Sequence, residues 1–241
     1  MPVANARLRT LAAAEEPTTI PEVIERMRAL EEALPPGDGV RRFVELYLAV
    51  TEAVERAARR RRFHDERFLQ RLDVVFANLF FAAFRAATTA PRTTPKAWAP
   101  LFEARARKGI APLQFALAGM NAHINRDLPV ALVSVCTELK LGLDDDTPEH
   151  ADYLSVNGLL QRTEAKVKRR FATGVLALAD EALGKLDDRV AMWDVSRARD
   201  AAWVQAQALW ALRRLPALER AYLDTLDSTV GFAGRGLLVP L

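Results

Sequence analysis

The stretch Gln114-Phe-Ala-Leu-Ala-Gly119-Met-Asn121-Ala-His123-Ile-Asn125-Arg-Asp127-Leu-Pro129 decides the fold. Its apolar residues fit a period of 3.6 and show no period-2 alternation, so it reads as a buried helix. Into that background the sequence sets an imidazole, two carboxamides and a carboxylate. His123 and Asp127 are i,i+4 and share one face; Asn121 and Asn125 are i,i+4 on a neighbouring face. Polar side chains in an apolar helix are costly to bury unless paired. They therefore either tie helices together or line a site. Pro129 lacks a backbone donor and its ring crowds the preceding turn, so a kink or break is expected within a helix of about 112–138.

Outward from this segment the same helical period recurs. Thr19-Ile-Pro21-Glu22 fits a capping box and opens a helix carrying Val23, Ile24, Met27, Leu30 and Leu34. Pro35-Pro36-Gly37 ends it. A second helix of about 40–60 carries Phe43, Leu46, Tyr47, Val50 and Val54 at helical spacing, and a third of about 65–88 is dense in Leu and Phe. Thr93-Thr94-Pro95 leads into a short helix with Trp98, Leu101 and Phe102. Beyond an acidic loop at 142–146, Thr147-Pro148 starts a helix reaching toward 186, followed by helices of about 195–215 and 216–226. The expected fold is all-α, a single-domain multi-helix bundle of about eight helices. It spans 18–230, with a flexible N-terminal segment at 1–17 and an irregular tail at 231–241.

Charge excludes some partners. Lys and Arg (34) exceed Asp and Glu (31) by only three, a near balance that argues against nucleic acid despite a pI of 9.2. The single cysteine, Cys136, excludes an intrachain disulfide and fits a cytoplasmic location. No secretory signal is expected, because the first sixteen residues hold Arg7 and Arg9 and no continuous apolar core. No apolar run reads as a transmembrane segment. A homodimer is compatible with this composition.

Several catalytic signatures are missing. There is no Gly-x-Ser-x-Gly, no P-loop, no Gly-x-Gly-x-x-Gly after a strand, no His-Glu-x-x-His and no Glu-x-x-His. Asp144-Asp145-Asp146 reads as a solvated loop. What remains is a recurrence: each of the three histidines has a carboxylate nearby, His64 with Asp65, His123 with Asp127 and His150 with Asp152.

The candidate catalytic residues are His123, Asp127, Asn121 and Asn125. Asp127 would orient His123 and raise its basicity. In the metal form of this reading, His123, Asp127, His150 and Asp73 hold one divalent ion, zinc or manganese. Asp73 lies in an apolar run, where its partner is either an arginine or that ion. Asn78, Tyr153, Asn157, Trp203 and Gln207 are the candidate substrate contacts. Trp203 and Gln207 share a stripe with Asp200 and Trp210 that is either core packing or a pocket wall.

The strings Leu72-Asp73-Val-Val-Phe-Ala-Asn78, Gln114 through Pro129 and His150-Ala-Asp152-Tyr153-x-x-x-Asn157 resemble an uncharacterised bacterial family, common in actinobacteria and known only as a domain of unknown function. The resemblance covers the chain from about residue 20 onward. It implies a helical fold and shared use of these polar positions, and no activity. More weakly, His123-x-x-x-Asp127 is similar to a pair in the zinc-dependent phospholipase C and P1-type nuclease family. That family needs more histidines and an N-terminal tryptophan, so its three-metal site is not expected here.

Two functions follow as expectations. One is an enzyme, a metal-assisted hydrolase or lyase acting on a small apolar or lipid-like substrate. The other is a non-catalytic helical ligand-binding or scaffold protein, in which the His/Asn/Asp cluster is a structural hydrogen-bond network.

Overall fold

The capping box forms as its chemistry requires. The Thr19 hydroxyl accepts from the Glu22 N–H, and the Glu22 carboxylate reaches back to the N–H groups of Thr18 and Thr19. This starts helix α2 (Ile20–Ala33) in a computed structural model that describes residues 2–58, 63–158, 160 and 194–240. The segment expected to be flexible instead holds helix α1 (Pro2–Ala13), which buries Leu8 and Ala12 against the core. The Arg26 guanidinium is what fixes it. It collects the carbonyls of Leu11, Ala14 and Glu15 where α1 ends, and it stacks over the Phe81 ring. A cation at a helix C-terminus satisfies carbonyls that have no partner within the helix.

Helix α3 (Gly39–Ala58) and helix α4 (Glu66–Thr89) follow, the latter capped by Asp65, whose carboxylate accepts from the Phe68 N–H. A 3₁₀ turn (Pro91–Thr93) leads to the short α5 (Ala99–Ala104). Helices α6 (Pro112–Ala122) and α7 (Leu128–Leu139) form one bent rod. Thr147 caps α8 (Pro148–Ser155), and Asp194 caps α9 (Val195–Leu212). Helix α10 (Pro216–Leu237) replaces the tail expected to be irregular from 231. Gly231 serves contact, since a Cβ there would lie 2.4 Å from the Lys96 carbonyl oxygen. The far end of the long helix expected after Thr147 and the basic runs 59–62 and 166–170 lie outside the described residues. Among the described residues there is no strand, and the fold is an all-α bundle.

The α6–α7 rod is the axis of the bundle. Helix α3 packs on α6, α4 and α9 pack on α7, and α10 packs on α6. Gly119 admits the Phe43 ring so closely that a Cβ there would overlap it at 2.4 Å. Helix α4 is long and apolar enough, by length and composition alone, to cross a membrane, an aspect not anticipated from sequence. In the bundle it buries Phe68, Leu72, Phe80, Phe81 and Phe84 in the core.

The break expected at Pro129 appears just before it, as a π-helical turn at His123–Asp127. The Leu128 N–H reaches back five residues, to the His123 carbonyl. A π turn inserts an extra residue and shifts the phase of every side chain beyond it. It also relieves the crowding that the proline ring would cause in a regular helix.

Candidate functional site

The π turn directs polar side chains of the central segment to two different sides. On one side they meet α5 and α10. Asn121 donates to the Val230 carbonyl at 3.0 Å, and Asn125 donates to the Asn121 side-chain oxygen at 3.0 Å. Asp127, fully buried, accepts from Trp98 Nε1–H at 2.9 Å, from Arg126 at 2.8 Å and from His123 Nδ1 at 3.2 Å. Arg126 also lies beside Asp227, whose carboxylate receives the backbone N–H groups of Lys96 and Ala97. This cluster joins three elements and leaves its carboxylates well supplied with donors.

His123 belongs to both sides. A carboxylate only accepts, so the proton on this imidazole sits on Nδ1 and Nε2 is left with a lone pair. Among the described residues Nε2 is buried without a hydrogen-bond partner. Burial depresses the His123 pKa, and the hydrogen bond it donates to Asp127 opposes that shift. The ring is therefore a neutral base. Phe76 lies face to face with it, centroids 3.5 Å apart, and Tyr47 meets it edge-on at 4.5 Å.

On the other side of the rod is a cavity with about 80 Å³ available to the centres of water-sized molecules. A single water needs roughly 10–15 Å³ by that measure, so there is room for several waters or a small ligand. Apolar residues from α3, α4, α6, α7 and α9 make most of its wall. Tyr47, Thr51, Asp73, His123 and Arg199 are its polar members.

Asp73 keeps some accessible surface, which faces this cavity, while protein surrounds it on every side. Burial pushes its carboxyl up to about 6, opposed only by the charge of Arg199. No ion pair or hydrogen bond to Asp73 exists among the described residues, so the arginine expected as its partner acts through its charge and not in contact. Arg199 is itself buried and held in place. Its Nε donates to the Asn157 side chain at 2.7 Å, Nη2 donates to the Tyr153 carbonyl at 3.0 Å, and the guanidinium stacks on the Tyr153 ring. Among the described residues Nη1 has no partner.

A match to the DUF5995 family spans residues 20–240 of the chain. The chain belongs to DUF5995, a family of unknown function. No curated protein and no solved structure matches it. In this DUF5995 member, the phospholipase C likeness has nothing behind it beyond the spacing of His123 and Asp127. His64 is exposed, yet its backbone N–H and that of Asp65 both donate to Asp152, whose pKa these bonds hold down against burial.

The DUF5995 structure redraws the site predicted from sequence. Of the residues expected to be catalytic, His123 lines the cavity, Asp127 stands behind it, and Asn121 with Asn125 face α10. Of the four expected metal ligands, only His123 and Asp73 share the cavity wall. His150 stacks on Trp203 and bonds the Asp145 carbonyl instead. Among the described residues no three His, Cys, Asp or Glu side chains gather to hold an ion, so that ligand set is not assembled. None of the expected substrate contacts lines the cavity. Asn78 holds the Pro17 carbonyl; Trp203 and Gln207 latch Asp145; Tyr153 and Asn157 position Arg199. Arg199 was missed. The signal was available, because it falls on the buried face with Val195, Ala202, Trp203 and Ala206.

Proposed function

We propose that the cavity is the working site of an acid/base enzyme, a hydrolase or lyase, acting on a small, largely apolar substrate. The observation that carries this is the convergence on one apolar cavity of a neutral imidazole whose Nε2 has no partner among the described residues, a carboxyl raised to about 6 and a held guanidinium. Perturbed titratable groups in a cleft mark functional sites more often than chance. For an ester, His123 Nε2 takes a proton from water as the water oxygen adds to the carbonyl carbon. The acyl–oxygen bond then breaks, and the leaving oxygen takes the proton of Asp73. Asp127 holds the imidazole in the tautomer this requires.

The test is hydrolysis of nitrophenyl esters of graded acyl length. The wild-type chain should turn over the shorter ones, and His123→Gln should abolish turnover with the fold intact by circular dichroism. Activity retained in His123→Gln, or none for any ester, contradicts the proposal. Zinc or manganese should leave the rate unchanged; stimulation by either would favour the metal-assisted form.

The face-to-face cover of Phe76 on a fully buried His123 favours a second reading, a ligand-binding protein without catalysis. In that case His123→Gln leaves ligand affinity unaltered.

A further inference from the structure

The enzyme reading leaves the head group of the ligand open, and the cavity speaks to it. Arg199 is more than nine-tenths buried, lines the cavity and is held by Asn157 and Tyr153 so that its fork is preorganised. Two of its five N–H groups are used by those bonds. Asp73, on the same wall, receives no hydrogen bond from the described residues. Tyr47 and His123 are the other titratable groups facing the space, one held neutral by burial and the other a neutral base. A guanidinium with spare donors is built for a planar anion, which it can hold through two bonds. An ammonium would meet Asp73 but be repelled by Arg199. An alcohol would leave part of the fork unused.

Resting on the enzyme reading above, we infer that the cavity recognises a monocarboxylic acid with a short apolar tail, its carboxylate gripped by Arg199 and its second oxygen facing Asp73. The tail lies along Leu46, Leu72, Leu117 and Ile124. A cavity of this size takes roughly five to eight water-sized non-hydrogen atoms. The acid is then the product of an acyl hydrolase or the substrate of a lyase. Asp73 must be protonated beside it, so binding is strongest below the point at which Asp73 ionises.

Calorimetric titration of the wild-type chain with hexanoate, hexylamine and 1-hexanol at a pH of about 5 tests this. Hexanoate should saturate, 1-hexanol should bind at least about tenfold more weakly, and hexylamine should not bind. Arg199→Gln should lose about tenfold or more for hexanoate while 1-hexanol affinity, which reports an intact pocket, holds. Equal binding of hexanoate and 1-hexanol to the wild type overturns the inference without recourse to any variant, as does absence of hexanoate binding. Ester turnover that persists without hexanoate binding or inhibition removes this inference and keeps the enzyme reading. Hexanoate binding in a chain that turns over no ester does the reverse.

Discussion

The two sides of the α6–α7 rod use the same residue types differently. Toward α5 and α10, Asp127, Asn121 and Asn125 form a network in which each carboxylate and amide meets a partner. Toward the cavity, among the described residues, Asp73 has no donor, Nε2 of His123 has no donor, and Arg199 keeps spare N–H groups. Buried polar groups are satisfied in stable cores, so the first arrangement is what folding requires. The second lowers stability, which a ligand would offset in the proposed reading. In that reading the paired side serves the fold and the unpaired side serves the cavity.

The largest effect should come from breaking the paired side. Asp127→Ala strands the Trp98 N–H, part of the Arg126 guanidinium and the His123 N–H in the core. It should cost about 4 kcal/mol in urea unfolding. A loss below about 1 kcal/mol would erase the contrast between the two sides.

The unpaired side should respond with the opposite sign. Asp73 binds its proton more tightly in the folded chain, its pKa rising from 3.8 to about 6. The folded state therefore loses stability as pH rises through that interval and carries the full penalty above it. Asp73→Asn should raise stability at about pH 8 by about 3 kcal/mol and leave it nearly unchanged at about pH 4. Unfolding curves at the two pH values check this, and a stabilisation independent of pH would point elsewhere.

Asn121→Ala should cost about 1–2 kcal/mol, through the lost bond to the Val230 carbonyl, and leave cavity binding as it was. His150→Ala should cost at most about 1 kcal/mol. That histidine stacks on Trp203 at the edge of the acidic loop, outside the cavity wall. Weakened hexanoate binding in either variant would mean that the two sides are coupled.

Much of the fold was legible because local chemistry agrees with it. The Thr19 capping box, the Thr147 cap and the apolar faces of α2, α3 and α4 all appear where the residues place them. The N-terminal helix was illegible, since its stability comes from Arg26, fifteen residues beyond Leu11. The glycines of α10 read as a loop because sequence does not show that the Lys96 backbone presses against Gly231. In the site, the importance of His123 and Asp73 was visible as polarity in apolar runs. Which of their polar neighbours share the cavity was not, because the π turn shifts the helix phase between Asn121 and Asp127. A regular 3.6 period cannot assign sides across that insertion.

The central claim is that the Asp73 carboxyl, which receives no hydrogen bond from the described residues, faces a cavity that takes a ligand. Carbon-13 NMR of the Asp73 carboxyl across pH addresses it directly. The predicted midpoint is about 6 in the ligand-free wild type, and higher in Arg199→Gln, which removes the one charge that opposes the rise. A midpoint near 3.8, unmoved by Arg199→Gln, would contradict the account.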